Sequence, residues 1–195
     1  MKGPLRIAVA GATGAVGSEM LAVLDERGFP AASVRTLASP ESAGRTVRFG
    51  GGEIEVEELT PAALGDLDVV LFATSARVSL ESVPAAVERG AVAIDNSRAF
   101  RMDPDVPLVV PEVNADDARR HDGIIANPNC STIQTVLTLK PLHDAAVLRR
   151  VVAATYQSVS GTGLAAVEEL RQQSEAVLRG EPVVEEVYPH QIAFN

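Results

Sequence analysis

Leu5-Arg-Ile-Ala-Val-Ala-Gly-Ala-Thr-Gly-Ala-Val-Gly17 is followed at once by Ser18-Glu-Met-Leu-Ala-Val-Leu-Asp-Glu-Arg27 and Gly28. The first six residues are a short apolar run suited to a buried strand, and the last ten are a helical stretch closed by a glycine. Between them lie three glycines, at positions 11, 14 and 17. Strand, glycine loop and helix in that order read as a dinucleotide-binding turn. Gly11 permits the tight turn, Gly14 lets the backbone approach a pyrophosphate, and Gly17 lets helix and strand pack closely. The phosphates rest on the helix N-terminus, whose first N–H groups have no partner in the helix. Gly11, Thr13, Gly14, Ala15 and Val16 are therefore the candidate cofactor contacts. The spacing is GxxGxxG, which alone also fits a plain βα turn; its place between strand and helix carries the reading.

Outward from this unit, β-branched apolar runs alternate with helical patterns. Ser33–Ala38 reads as a strand, and Thr46–Phe49 with Glu53–Glu57 as a short antiparallel excursion around Gly50, Gly51 and Gly52. Asp68–Thr74 is a buried strand, a helix spans roughly Val78–Arg89, and Val92–Asp95 is the next strand. Leu108–Val110 and Gly123–Ala126 are shorter candidates. Strands alternating with helices predict a parallel sheet covered on both faces. The fold class is thus α/β, a doubly wound Rossmann-type domain over residues 1–128. A helix after Cys130, a long strand Arg149–Val159 and an amphipathic helix Leu164–Leu178 capped by Gly180 follow. One strand and two helices cannot close a core, so residues 129–195 read as the start of an α+β domain that looks truncated.

Asn127-Pro-Asn-Cys-Ser-Thr-Ile133 holds the only cysteine. The helical pattern begins directly after it, which places Cys130 at a helix N-terminus, where the positive end of the dipole favours a thiolate. A thiolate is the form that attacks a carbonyl. A lone cysteine is more often a buried structural residue, and the glycine loop earlier in the chain tips the balance toward chemistry.

Composition narrows the classes. The 195 residues are 46 % apolar and 22 % charged, ordinary for a globular protein. The formal net charge of −9 argues against nonspecific nucleic-acid binding. No apolar run is long enough to span a bilayer, and the N-terminus enters a strand directly, unlike a signal peptide. One cysteine excludes an internal disulfide and fits a reducing cytoplasm. With three scattered histidines, His121, His143 and His190, there is no metal-ligand spacing.

The motifs taken together resemble the aspartate-semialdehyde dehydrogenase family. They are Gly11–Gly17, Asp95-Asn-Ser97 with Ala99-Phe-Arg101, Val109-Val-Pro-Glu-Val-Asn114, Asn127–Gln134 and Pro189-His-Gln-Ile-Ala-Phe-Asn195. The resemblance runs the length of the chain. The related N-acetyl-glutamyl-phosphate reductases share the layout but differ around the cysteine. It implies NADPH-dependent, reversible reduction of aspartyl phosphate to aspartate semialdehyde with release of phosphate, on the route to lysine, threonine and methionine. It implies a cytoplasmic homodimer for the full-length parent, and makes residues 129–195 part of the catalytic and dimerisation domain. Cys130 then matches the nucleophile, Gln157 the glutamine that positions substrate, Arg101 the phosphate-binding arginine, and Asn129 a substrate contact. Ser160 and Gly161 match the loop against the nicotinamide. Ser39 and Ser42 belong to the segment that holds the 2′-phosphate of NADP.

The chain also departs from the family. The acid/base histidine and the substrate-carboxylate arginine lie beyond Asn195, so the chain reads as a fragment of an enzyme. Glu41 stands where the family usually has arginine, which keeps NAD open beside NADP; Ser39, Ser42 or Arg45 could still hold a phosphate. Arg98 replaces an expected small residue for no reason legible in the sequence. The competing reading from another class is a non-catalytic nucleotide-binding module or partner subunit that keeps the fold.

Overall fold

The computed structural model describes residues 3–195. By packing it divides into two compact units, one reaching to Val152 and one spanning Ala153–Asn195; each is described by itself.

The first unit is built on a seven-stranded sheet. Its strands are β1 (Leu5–Ala10), β2 (Ala31–Ala38), β3 (Thr46–Phe49), β4 (Gly52–Glu58), β5 (Val69–Phe72), β6 (Val92–Asp95) and β7 (Ile124–Ala126). Their order across the sheet is β3-β4-β2-β1-β5-β6-β7. Every neighbouring pair is parallel except β3 with β4, which form the expected antiparallel hairpin. The sheet is therefore mixed, with one antiparallel strand at its edge.

Helix α1 (Ala15–Glu26) follows β1, and α2 (Ala76–Glu88) follows β5. Side chains alternate across a strand, and both faces of this sheet are covered. Ala8, Ala10, Val70 and Phe72 pack in one cluster with Val83 and Ala86 of α2. Val9, Leu71 and Leu21 of α1 pack in the other. This two-sided burial explains why the central strands read as continuous apolar runs rather than alternating ones. Phe72 is fully buried, and removing such a ring from water stabilises the fold by about 1.5–3 kcal/mol.

Two sequence expectations fail. Leu108–Val110 is not a strand; only Leu108 bridges to Ala126. Pro107 has no N–H to donate, and the N–H of Val110 is taken by Asn114 Oδ1 at 2.8 Å as the short helix α3 (Pro111–Asn114) begins. The long strand Arg149–Val159 is also absent: residues 149–158 have no regular secondary structure. Val151, Val152 and Tyr156 are exposed, with Val152 at 80 %. An apolar, β-branched run makes a strand only when a neighbour supplies the ladder, and among the described residues none pairs with it.

Helix α4 (Cys130–Ala146) follows β7 and ends on Val147 in the left-handed region. In the second unit, α5 (Leu164–Arg179) ends on Gly180 at φ 70°, as expected for a glycine cap. Its buried stripe is Ala166, Glu169 and Gln173. Glu169 accepts the N–H groups of Glu186 (3.1 Å), Val187 and Tyr188 (3.4 Å). Gln173 Oε1 accepts those of Ile192 and Ala193, at 2.8 and 3.2 Å. These two side chains supply backbone partners for a tail that has no sheet to join. None of the helices among the described residues is long and apolar enough to cross a membrane.

Candidate active site

Because β1, β2, β5, β6 and β7 are parallel, the segments that follow them all leave from the same edge of the sheet. The loops at this edge are where a doubly wound sheet binds ligands, and they carry most of the residues singled out in the sequence.

The glycine loop follows β1. The N–H groups of Gly11 and Ala12 both donate to Leu37 O, at 2.8 and 3.1 Å, and Gly14 N donates to Gly11 O at 3.0 Å. Gly11 has φ 83°, and a Cβ there would meet Ala73 O at 2.3 Å. A Cβ on Gly17 would meet Gly11 O at 2.1 Å. Gly17 thus admits the close approach of the helix to the loop rather than to the strand itself. Gly14 is different: its Cβ would meet only Gly11 O, at 3.3 Å. Among the described residues no close packing demands a glycine there, and its bare face borders open space. Gly14 caps α1 without a side-chain bond, and the first turn holds no acidic residue. Ala15 and Val16 lie exposed on that turn.

Beside this loop is a groove of about 520 Å³ lined by Gly11, Thr13, Gly14, Ser39, Glu41, Thr74 and Arg77, among others. Four sequence candidates, Gly11, Thr13, Gly14 and Ser39, meet here. Ser42 stands just behind, its hydroxyl accepting from Thr13 Oγ1 at 3.3 Å. Thr74, Ser75 and Arg77, at the end of β5 and the start of α2, were missed. The available signal was topological: in a doubly wound sheet the strand after the first crossover pair returns beside β1, so the loop after β5 opens onto the same groove. The groove offers hydroxyls, one guanidinium and the bare face of a glycine.

Thr74 belongs to a buried hydroxyl chain. Ser79 Oγ donates to Asp95 Oδ1 at 2.7 Å, and Thr74 Oγ1 lies 2.9 Å from Ser79 Oγ. A serine has one proton to give, so Thr74 is the donor in that second bond and turns only lone pairs toward the groove. Ser97 Oγ donates to Asp95 Oδ2 at 2.7 Å. The carboxylate at the end of β6 thus ties the cofactor-side loop to the Asp95–Arg101 segment.

Arg101 is half-buried rather than a free surface arginine. Its Nε donates to Asn127 O at 2.8 Å and its Nη2 to Asn96 O at 2.9 Å. Asn127 Nδ2 in turn donates to Asn96 Oδ1 at 2.6 Å. The guanidinium therefore braces the segments after β6 and β7, and Nη1 keeps its protons free of any bond among the described residues. Three residues beyond Asn127, Cys130 opens α4. Asn129 is the N-cap, its Oδ1 accepting from Ser131 N at 3.0 Å. Cys130 is exposed among the described residues. Its Sγ lies 4.0 Å from Ser131 Oγ.

Gln157, Ser160 and Gly161 lie in the second unit. Gln157 is exposed, donating from Nε2 to Thr155 Oγ1 at 3.1 Å. Ser160 and Gly161 sit in a single 3₁₀ turn, Val159–Thr162, capped by Ser158. Among the described residues no group of three or more His, Cys, Asp or Glu side chains could hold a metal ion.

A mostly parallel α/β sheet with this glycine loop between β1 and α1 defines a Rossmann-type domain of the dinucleotide-binding class. Residues 6–121 match the NAD-binding domain of semialdehyde dehydrogenase, and residues 139–195 match its dimerisation domain. The chain belongs to the semialdehyde dehydrogenase family. It is 46 % identical over 195 residues to the aspartate-semialdehyde dehydrogenase of Synechocystis sp., and 48 % identical over 198 residues to that of Bacillus subtilis. It covers 100 % and 98 % of its own length in these comparisons, but only 58 % and 57 % of theirs. Aspartate semialdehyde dehydrogenase II from Vibrio cholerae, solved in complex with ASA, superposes with a TM-score of 0.90 at 44 % identity, over 100 % of this chain and 58 % of that one. The enzyme from Candida albicans, solved with NADP, superposes with a TM-score of 0.61 at 27 % identity, over 74 % of this chain and 48 % of that one. The chain thus spans a little over half the length of the relatives it matches.

Proposed function

We propose that this chain carries the dinucleotide site and the nucleophile of an enzyme that reduces aspartyl phosphate to aspartate semialdehyde, reversibly. The reading rests on similarity to relatives of that name together with one observation: an exposed Cys130 at the start of α4, at the same sheet edge as the glycine loop. The Cys130 thiolate attacks the acyl carbon, the carbon–oxygen bond to phosphate breaks, and a thioester forms on Sγ with release of inorganic phosphate. The N–H groups of the first turn of α4 stabilise the oxyanion that forms on the way. Arg101, braced by two carbonyls, holds the phosphoryl group with its remaining N–H groups. Asn129, whose Nδ2 is unbonded among the described residues, and Gln157 orient the substrate. The nicotinamide dinucleotide, NADP or NAD, supplies the hydride that reduces the thioester and returns Sγ as the leaving group. Gly11, Thr13, Gly14, Ala15 and Val16 bind its phosphates, Ser39 and Ser42 its adenosine ribose, and Ser160 and Gly161 its nicotinamide. The acid/base histidine is proposed to lie outside these 195 residues, and the enzyme to act as a homodimer in the cytoplasm.

The test is the reverse assay, aspartate semialdehyde with phosphate and oxidised dinucleotide, on the polypeptide of the whole reading frame. Cys130→Ala is expected to abolish turnover and leave dinucleotide affinity unchanged. Turnover at the parent rate in that variant rules out the nucleophile assignment. Dinucleotide binding without turnover in the parent protein favours the binding-module reading instead.

A further inference from the structure

The groove presents a carboxylate where the adenosine ribose has to lie. β2 ends at Ala38, and Ser39, Pro40 and Glu41 follow it along the groove that Gly11, Thr13 and Gly14 also line. In a doubly wound domain whose phosphates rest on the loop after β1, the ribose falls beside the end of β2. An acidic side chain there accepts from the ribose hydroxyls. Glu41 is suited to that role. The Ser39 hydroxyl, and then the backbone N–H of Glu41 itself, hold its carboxyl below the ordinary value. The group is ionised at neutral pH, and its charge repels a phosphate brought close to it.

The cations do not compensate. Arg45, in reach of a phosphate by sequence, does not line the groove; Arg77 is the one guanidinium that does, and Glu81 of the same helix lines it as a second carboxylate. Two carboxylates against one guanidinium make a poor seat for a 2′-phosphate, which carries about 1.5–2 negative charges at neutral pH. The diol of an unphosphorylated ribose brings two donors and no charge. Thr74, held as an acceptor by Ser79, adds to the same polarity.

Resting on the dinucleotide reading given above, we propose that Glu41 makes this chain select a dinucleotide with a free 2′-hydroxyl, NAD(H) over NADP(H). This reverses the order expected from the family resemblance, and it places the choice on one side chain.

Calorimetric titration of NAD⁺ and NADP⁺ into the chain tests it, with circular dichroism and melting to show that each variant is folded. NAD⁺ is expected to bind about tenfold or more tightly than NADP⁺. Glu41→Gln narrows that ratio by removing the charge, and Glu41→Arg inverts it by offering a bidentate fork. NADP⁺ binding as tightly as NAD⁺ in the parent overturns the proposal while leaving the dinucleotide reading intact. So does a ratio that neither Glu41 variant moves, or an NADP⁺ preference that Arg77→Ala abolishes. If a folded parent chain binds neither nucleotide, the dinucleotide reading itself falls, and this proposal with it.

Discussion

Gly17→Ala and Gly14→Ala differ by one methyl each, three residues apart, and the structure assigns them opposite consequences. At Gly17 the added Cβ sits 2.1 Å from Gly11 O, 2.7 Å from Gly11 C and 2.9 Å from Ala12 Cα, all backbone. Ordinary contact begins at 3.4 Å, so the loop must retreat by 3.4 − 2.1 = 1.3 Å. That loop is held by Gly11 N and Ala12 N on Leu37 O and by Gly14 N on Gly11 O. At about 0.5–1.5 kcal/mol each, losing the three costs about 1.5–4.5 kcal/mol. Alanine recovers up to about 1 kcal/mol through its better helix propensity. The expected net loss is about 0.5–3.5 kcal/mol, a fall of several degrees in melting temperature for a chain of this size. At Gly14 the backbone, φ −79° and ψ 164°, suits alanine, and the single 3.3 Å contact needs a shift of a tenth of an ångström. A gain of about 0.4–1 kcal/mol from the stiffer unfolded chain offsets the poorer helix cap, so stability stays within about 1 kcal/mol. Its methyl instead occupies the face offered to the pyrophosphate, and dinucleotide affinity falls by about tenfold or more. Thermal melting and calorimetric titration of the two variants separate these effects. Gly17→Ala melting at or above the parent refutes the close approach. Gly14→Ala binding the dinucleotide like the parent refutes the placement of the phosphates.

Two further outcomes follow from buried and paired polar groups. Ser79→Ala strips Asp95 Oδ1 of a buried donor and Thr74 of its acceptor, with an expected loss of about 1–3 kcal/mol by denaturant unfolding; an unchanged midpoint would show that the hydroxyl chain is not formed in solution. In the second unit, burial pushes the Glu169 carboxyl up, but the N–H groups of Val187, Glu186 and Tyr188 outweigh it and leave the pKa lowered. Glu168 is held at about 2 by Arg171 and then Gln172. Both folded-state values lie below the ordinary 4.5, so their contribution is complete above 4.5 and is lost as pH falls through the folded values. Exchange protection of the Glu186–Tyr188 amides, corrected for intrinsic rates, is expected to fall on acidification below that point, and protection that the Glu169→Gln variant leaves unchanged at neutral pH contradicts the anchoring by Glu169.

The sequence by itself determined the features whose physics is local. The strand–glycine–helix unit at Leu5–Glu26 was legible because only glycine tolerates φ 83° at position 11 and a 2.1 Å approach at position 17. The helical pattern directly after Cys130 marked the start of α4, and Gly180 the end of α5, because a helix period and a glycine cap act within a turn or two of themselves. The β3–β4 hairpin was legible from its glycines for the same reason. Tertiary structure alone decided the rest. The apolar run within Arg149–Val159 suits a strand in composition, yet a strand exists only through a partner elsewhere in the chain. Glu169 and Gln173 are buried because residues 184–193 supply backbone N–H and C=O groups that no local pattern announces. Arg101 became a brace, and Thr74 and Arg77 became groove residues, through the ordering of β5 beside β1 and β6 beside β7. Burial and strand pairing are sums over residues distant in sequence. A sequence pattern states which contacts a residue could make, and the packed sheet states which of them it has.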